Sequence, residues 1–244
     1  MPDTLGITRW LNSLFGGDVA LLMQAVGVHP ANPAAPINDD FALELLVVCG
    51  LIAFFLFVRL TLSVEKPNPA QQIAEAIHGF TGDLADQVIG HGYERFQAFA
   101  VCVGLFVLIN NLIGLLPGIV TPTSHPVVPL GIAVLTFLYY NFHGVRVQGP
   151  VRYVVHFAGP VPWLAWLMFP IEMASHLARV LALTVRLYAN MLASDLLTLI
   201  AFSVFPFVFP VAGLGLHFAV AFIQAFVFML LAMIYLSEAV AHGH

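Results

Sequence analysis

Residues 170–197, PIEMASHLARVLALTVRLYANMLASDLL, put ionisable and amide side chains into one of the most apolar stretches of the chain. At about 100° per residue on a helix, Glu172, Ser175, His176, Arg179, Arg186 and Asn190 fall within a wedge of roughly 100°. Thr184, Tyr188 and Asp195 form a second stripe, roughly opposite. In the next apolar run His217, Gln224, Tyr235 and Glu238 share one face. A charged side chain at bilayer depth costs about 2.5–3.5 kcal/mol on insertion scales, so such residues face a protein interior, a water cavity or an ion path. Aspartate, glutamate and histidine gain and lose protons. A guanidinium does not; it holds carboxylates in their charged form. Together they form a series of depths at which a proton is handled. For Arg179, snorkelling to the interface or pairing with Glu172 is an equally good reading. Arg186 has apolar sequence on both flanks, and water is far in either direction.

The composition requires a bilayer around these residues. Hydrophobic residues make up 60% of the 244, and charged ones only 9%, against about 25% in a soluble domain. A net charge of −5 offers no basic surface to nucleic acid. Cys49 and Cys102 each lie in an apolar run and read as buried thiols, not as a disulfide or a metal site. Residues 1–40 lack the basic start and apolar core of a signal peptide and read as mature chain.

The elements follow from punctuation and period. A first span covers 41–64 and stops at EKPNP. Over 70–90, Ile73, Ile77, Phe80, Leu84 and Val88 recur at spacings of three and four among acidic and amide residues. That is an amphipathic helix, lying on the membrane surface or serving as a solvated connector. Further spans cover 96–117 and 127–145, and two long segments follow at 161–205 and 208–241, separated by PFVFP. Arg59, Lys66 and Arg95 flank the 65–95 connector, and Arg146 and Arg152 mark the 146–160 loop. The 118–126 and 206–212 loops have neither Lys nor Arg. The positive-inside rule therefore puts the N-terminus, residues 1–40, outside and the C-terminus in the cytoplasm.

From Ile171 to Phe205 there are 35 residues without Gly or Pro. A single helix of that length is about 52 Å long, and the hydrocarbon core is about 30 Å thick. The helix is expected to lie strongly oblique, with the last helix antiparallel to it. The fold class is an all-α polytopic membrane protein with about five membrane-embedded helices and one amphipathic surface helix.

These motifs resemble subunit a of the F-type ATP synthases. The 170–197 stretch is similar to that family's Arg-Leu-x-x-Asn-x-x-Ala region. LHFAVAFIQAFVFMLLAMIYLSEAV is similar to its last helix, NNLIGLLPG to the end of an earlier span, and NPAQQIAEAIHGF to its surface helix. The resemblance covers about 65–241. It implies a non-catalytic stator subunit, without a cofactor, in a bacterial inner membrane. Its partners would be a ring of c subunits bearing carboxylates, b-type peripheral stalk subunits and the rest of the complex. Protons would reach and leave the ring through two offset half-channels. The family's required arginine matches Arg186, its glutamine Gln224 and its asparagine Asn190. Asp195 and His217 match the outer half-channel, and Glu172, Ser175 and His176 lie on the inner side, with Arg179, Tyr235 and Glu238 in support. Three positions depart from the common pattern: His125, Ser194 and Ala182 stand where relatives often have Asp, Gly and Ser.

Three other classes make different demands on the residues. A haem-bearing redox subunit needs two facing histidines at matched depth, and only His176 with His217 could supply them. An intramembrane hydrolase needs an activated nucleophile; Ser194 near His217 is the sole pairing, without activating context. A secondary transporter would bring internal repeats and broken helices, and neither is legible.

Overall fold

Lipid offers the backbone no hydrogen bonds, so a chain this apolar must satisfy its amides internally, and helices do so. The structure, a computed structural model, describes residues 5–25, 35–116, 119, 121–149, 153, 163, 165–204 and 209–240. These form α1 (Gly6–Ala25), α2 (Asp39–Leu60), α3 (Pro69–Ile89), α4 (Glu94–Ile113), a 3-10 turn (Pro122–Ser124), α5 (Val127–Gln148), α6 (Ala165–Val204) and α7 (Phe209–Val240). Strands are absent among the described residues. Five helices, α2 and α4 to α7, are long and apolar enough to cross a membrane. Contacts divide the chain into residues 1–57 and 58–244.

In the second unit α4, α5, α6 and α7 pack around Val107, Ile132, Leu187, Met191 and Phe228. Helices α6 and α7 run antiparallel: Arg179 meets Glu238, Asn190 meets Gln224 and Ser194 meets His217, so one number rises as the other falls. Helix α6 is unbroken and continues N-terminally through Pro170, beyond the Pro-free run. Helix α7 begins at Phe209, ahead of its own Gly-free run. Gly213 inside it serves packing instead of turning, because a Cβ there would sit 3.3 Å from Thr198 Oγ1. Gly104 does the same for α4, where a Cβ would come within 3.2 Å of Met229 Sδ. Phe205, residues 206–208 of the PFVFP link, and Arg152 in the 146–160 loop lie outside the described residues.

Helix α3 packs on α4 and α7, but not by the whole of its apolar stripe. Leu84 and Val88 join the cluster of Ala85, Ala100, Met229 and Met233, whereas Ile73 and Phe80 are exposed. The buried side carries small and polar residues: Gln71, Thr81, Gly82 and Ala85. Gln97 of α4 donates to His78 O at 2.6 Å and to Thr81 Oγ1 at 3.2 Å, and Gly82 leaves it room.

Two expectations need correction. Cys49 and Cys102 are free, but both are exposed on their helices, not buried. In a bilayer the outer surface of a span is as apolar as its core, so an apolar run does not tell which way a thiol points. Residues 1–40 also contain a full helix, α1, which the reading of the spans did not include.

Candidate functional site

The polar residues of α6 and α7 gather in three places along the helix pair. The first is nearest the 3-10 turn. His217 is 1% exposed. Its Nε2 lies 2.9 Å from the carbonyl oxygen of Asn111. That carbonyl belongs to the last turn of α4, where intrahelical acceptors run out. A carbonyl only accepts, so Nε2 carries a proton and donates. In the neutral ring Nδ1 is then the acceptor, and the Ser194 hydroxyl lies 2.7 Å from it. Asp195 Oδ1 is 3.3 Å from the same Nδ1 and also accepts from Thr121 Oγ1 at 2.9 Å. Thr123 Oγ1 donates to Asn111 Oδ1 at 2.6 Å. Asp195 Oδ2, Asn111 Nδ2 and Asn110 Oδ1 are buried and have no partner among the described residues.

Gly114 makes this convergence possible. A Cβ there would overlap Thr121 Oγ1 and stand 3.0 Å from His217 Cε1. The buried Ser194 hydroxyl faces the same imidazole from α6.

The second place is the middle of α6. Arg186 and Asn190 are exposed on the surface of the isolated chain, and so are Ala178, Ala182, Ala189 and Ala193 around them. Asn190 Nδ2 donates to Gln224 Oε1 at 2.9 Å, tying the two helices one turn from the arginine. Gln224 is buried on α7. Among the described residues no carboxylate pairs with Arg186, while the other arginine of α6 is paired.

That pairing belongs to the third place, at the opposite end from His217. Arg179 Nη1 meets Glu238 Oε2 at 2.5 Å and lies over the Tyr235 ring, 5.1 Å from its centroid. Glu172 Oε1 is 3.6 Å from His176 Nε2, and Tyr140 OH is 2.9 Å from His176 Nδ1. Glu172 therefore sits against His176, one turn away, while Arg179 meets a carboxylate from α7. The Ser175 hydroxyl donates to its own helix at Ile171 O and does not join the cluster. Thr184 of the second stripe likewise bonds back to Val180 O.

Each of the eleven residues singled out from the sequence thus has a described position, and most fall into one of the three groups. The sequence reading missed Tyr140, Thr121 and the Asn111 carbonyl. Tyr140 is one tyrosine among the apolar residues of α5, and a backbone carbonyl leaves no mark on composition. The TPTS run and the paired asparagines were visible as polar punctuation, but nothing in one dimension aimed them at Asp195 and His217.

The haem alternative has no geometric support. His217 packs opposite Ser194, which follows His176 by 18 residues on the same helix, about 27 Å along its axis. Two histidines that far apart do not share an iron, and both nitrogens of His217 are already engaged.

The sequence model of the ATP synthase A chain family matches residues 42–237, most of the chain. The chain belongs to that family. It is 46% identical over 244 residues to "ATP synthase subunit a" of Koribacter versatilis (strain Ellin345), covering all of both chains. It is 42% identical over 233 residues to the subunit of Solibacter usitatus (strain Ellin6076), covering 96% of this chain and 99% of that one. It is 37% identical over 212 residues to that of Helicobacter pylori (strain P12), covering 85% and 94%. The family match takes in α6 and α7 up to residue 237 and so holds almost all the polar residues described above.

Proposed function

We propose that this chain is the proton-translocating stator subunit of a rotary ATP synthase, with Arg186 as the charge barrier between two half-channels. The observation that carries the reading is Arg186 itself. It is an exposed guanidinium on a membrane-length helix, with no carboxylate beside it among the described residues. Such a charge needs an anionic partner at its own depth, and a carboxylate on a ring of c subunits is that partner. The alanines flanking Arg186 let a neighbouring helix approach closely. Guanidinium stays protonated, so it attracts the ring carboxylate in its charged form without relaying the proton. The Asn190–Gln224 bond holds α7 to α6 next to the arginine.

The outer half-channel runs through Asp195 and His217. With Nε2–H committed to the Asn111 carbonyl, His217 takes up and returns a proton through Nδ1 alone. Once protonated, Nδ1–H faces the Asp195 carboxylate at 3.3 Å and passes the proton there. Buried polar atoms without a protein partner are normally met by water, so Asp195 Oδ2 and Asn111 Nδ2 mark where the route continues. The inner half-channel opens around Glu172, His176 and Ser175, with Arg179, Glu238 and Tyr235 holding α7 in place. Arg186 comes 10 residues after His176 and eight before Ser194, about 15 Å and 12 Å along the axis.

The 40 residues of α6 span about 60 Å, twice the hydrocarbon thickness of about 30 Å. An oblique α6 separates the two half-channels sideways as well as in depth, so that each meets a different ring subunit. The 65–95 and 146–160 connections face the cytoplasm of a bacterium, with residues 1–40 outside its inner membrane, a reading supported by Arg59, Lys66, Arg95 and Arg146. The chain catalyses no bond chemistry by itself, and b-type stalk subunits hold it against rotation.

The test is ATP-driven proton pumping by inverted vesicles carrying Arg186→Ala. The expected outcome is an assembled complex without pumping. Normal pumping would remove Arg186 from the mechanism.

A further inference from the structure

Helix α1 has 20 residues, the length of a membrane span, but not the composition of one. Arg9, Asn12, Ser13, Asp18 and Gln24 interrupt it, and it is not among the five helices apolar enough to cross. It is nevertheless bolted to the start of one that is. The Leu5 amide donates to Asp39 Oδ1 at 3.1 Å, and the Thr8 hydroxyl donates to the same oxygen. Asn12 and Ile37 exchange two bonds, Asn12 Nδ2 to Ile37 O and Ile37 N to Asn12 Oδ1, each 3.0 Å. Leu11, Ile37 and Ala42 close a small core beside them. Asp39 is the first residue of α2. A spanning helix starts at the bilayer surface, so these bonds hold the beginning of α1 at that depth.

Away from this attachment α1 carries a stripe that nothing in its own unit covers. Trp10, Leu14 and Leu21 are 60%, 54% and 66% exposed. At about 100° per residue they fall within roughly 40° of one another. Arg9, Ser13 and Gln24, also exposed, lie on one flank of the stripe, and the exposed Asp18 and Phe15 lie on the other. Attachment at the bilayer surface, too little hydropathy to cross, and an apolar stripe that includes a tryptophan are the properties of an interfacial helix.

We propose that α1 lies in the membrane interface where α2 begins and presses Trp10, Leu14 and Leu21 into the boundary between lipid headgroups and acyl chains. The occupant is lipid and not a protein groove, because the Asp39 and Asn12 bonds fix the stripe beside the bilayer. Arg9 and Asp18 offset each other, so burial of the stripe, and not lipid charge, holds the helix down. The inference does not depend on proton translocation.

The chain has three tryptophans, which allows a direct measurement. The assembled complex carrying Trp163→Phe and Trp166→Phe would be reconstituted in phosphatidylcholine vesicles, using lipid brominated high on the acyl chain. Trp10 emission, taken as the difference between this complex and the same complex carrying Trp10→Phe so that tryptophans of other subunits cancel, is expected to fall about twofold or more with the brominated lipid, while aqueous iodide has little effect. Adding Leu14→Asp and Leu21→Asp should remove the lipid quenching. Strong iodide quenching with no bromine effect would overturn the proposal by placing the stripe in water. Protection from both quenchers would overturn it equally, because a protein would then cover the stripe. Bromine quenching unchanged by the two aspartates would show that the stripe does not anchor the helix. Should the double phenylalanine variant not assemble, the difference between the parent chain and Trp10→Phe reports the same signal.

Discussion

Arg179 and Arg186 lie two turns apart on α6, yet they live in different electrostatic worlds. Arg179 is paired: Glu238, itself exposed, meets it and Tyr235 lies against its face. Arg186 stands on the outer side of the same helix among alanines, with no anion from the described residues. A partly exposed ion pair between helices contributes little and can be replaced by neutral groups at modest cost. An unpaired guanidinium at membrane depth is costly alone and is retained for what comes to it. Identical side chains on one helix thus carry different expectations, and the environment separates them.

The largest effect expected is that of Arg186→Ala, complete loss of ATP-driven proton pumping in inverted vesicles with assembly retained. Arg186→Lys breaks the comparison more finely. It keeps the charge but loses the planar fork, and pumping should still fall by about tenfold or more. Next comes Asp195→Asn, which removes the proton-accepting carboxylate facing His217 Nδ1; proton flux through the membrane sector should drop about tenfold. Pairing it with His217→Gln should cost little more than either change alone, because both act on one route. Separate losses that multiply would assign them to independent paths.

Gly114→Ala should rank fourth. Its Cβ would displace Thr121 from Asp195, so flux should fall several-fold, and limited proteolysis should show a looser 114–126 segment. The smallest effect is reserved for Arg179. Arg179→Gln leaves Glu238 unpaired and should reduce assembled complex about two- to threefold, and Glu238→Gln in the same chain should restore it. A double variant as weak as the single one would move Arg179 out of the structural class and into that of Arg186.

The architecture was largely legible in one dimension because lipid imposes it. Apolar runs of spanning length, ended by proline or charge, mark α2, α4 and α5, and a Gly-free run longer than any bilayer marks α6. The boundaries shifted where punctuation is ambiguous. Pro170 sits inside α6, at its sixth residue, where it forgoes one i to i−4 bond, and Gly213 and Gly215 sit inside α7; Gly213 lies at a close contact with Thr198, whereas Gly215 faces open space. The direction of side chains was less legible. Ile73 and Phe80 share a stripe with Leu84 and Val88 but point to the exterior, and Cys49 and Cys102 do likewise. Lipid rewards an apolar surface as well as a core does, so periodicity loses its usual inside-out meaning.

The sequence by itself determined that the chain spans a membrane, which residues are too polar to be there without purpose, and which of them share a helical face. Those properties are local: they depend on residue type, spacing and the 3.6-residue turn. Only the tertiary structure decided that Arg179 meets Glu238 while no carboxylate among the described residues pairs with Arg186. It alone brought Thr121, the Asn111 carbonyl and Ser194 to His217, and tied Asn12 to the foot of α2. Those are contacts between elements far apart in the chain, set by the antiparallel register of α6 on α7 and by close approach at Gly104, Gly114 and Gly213. Register is a property of two surfaces fitting together, and neither helix carries it alone.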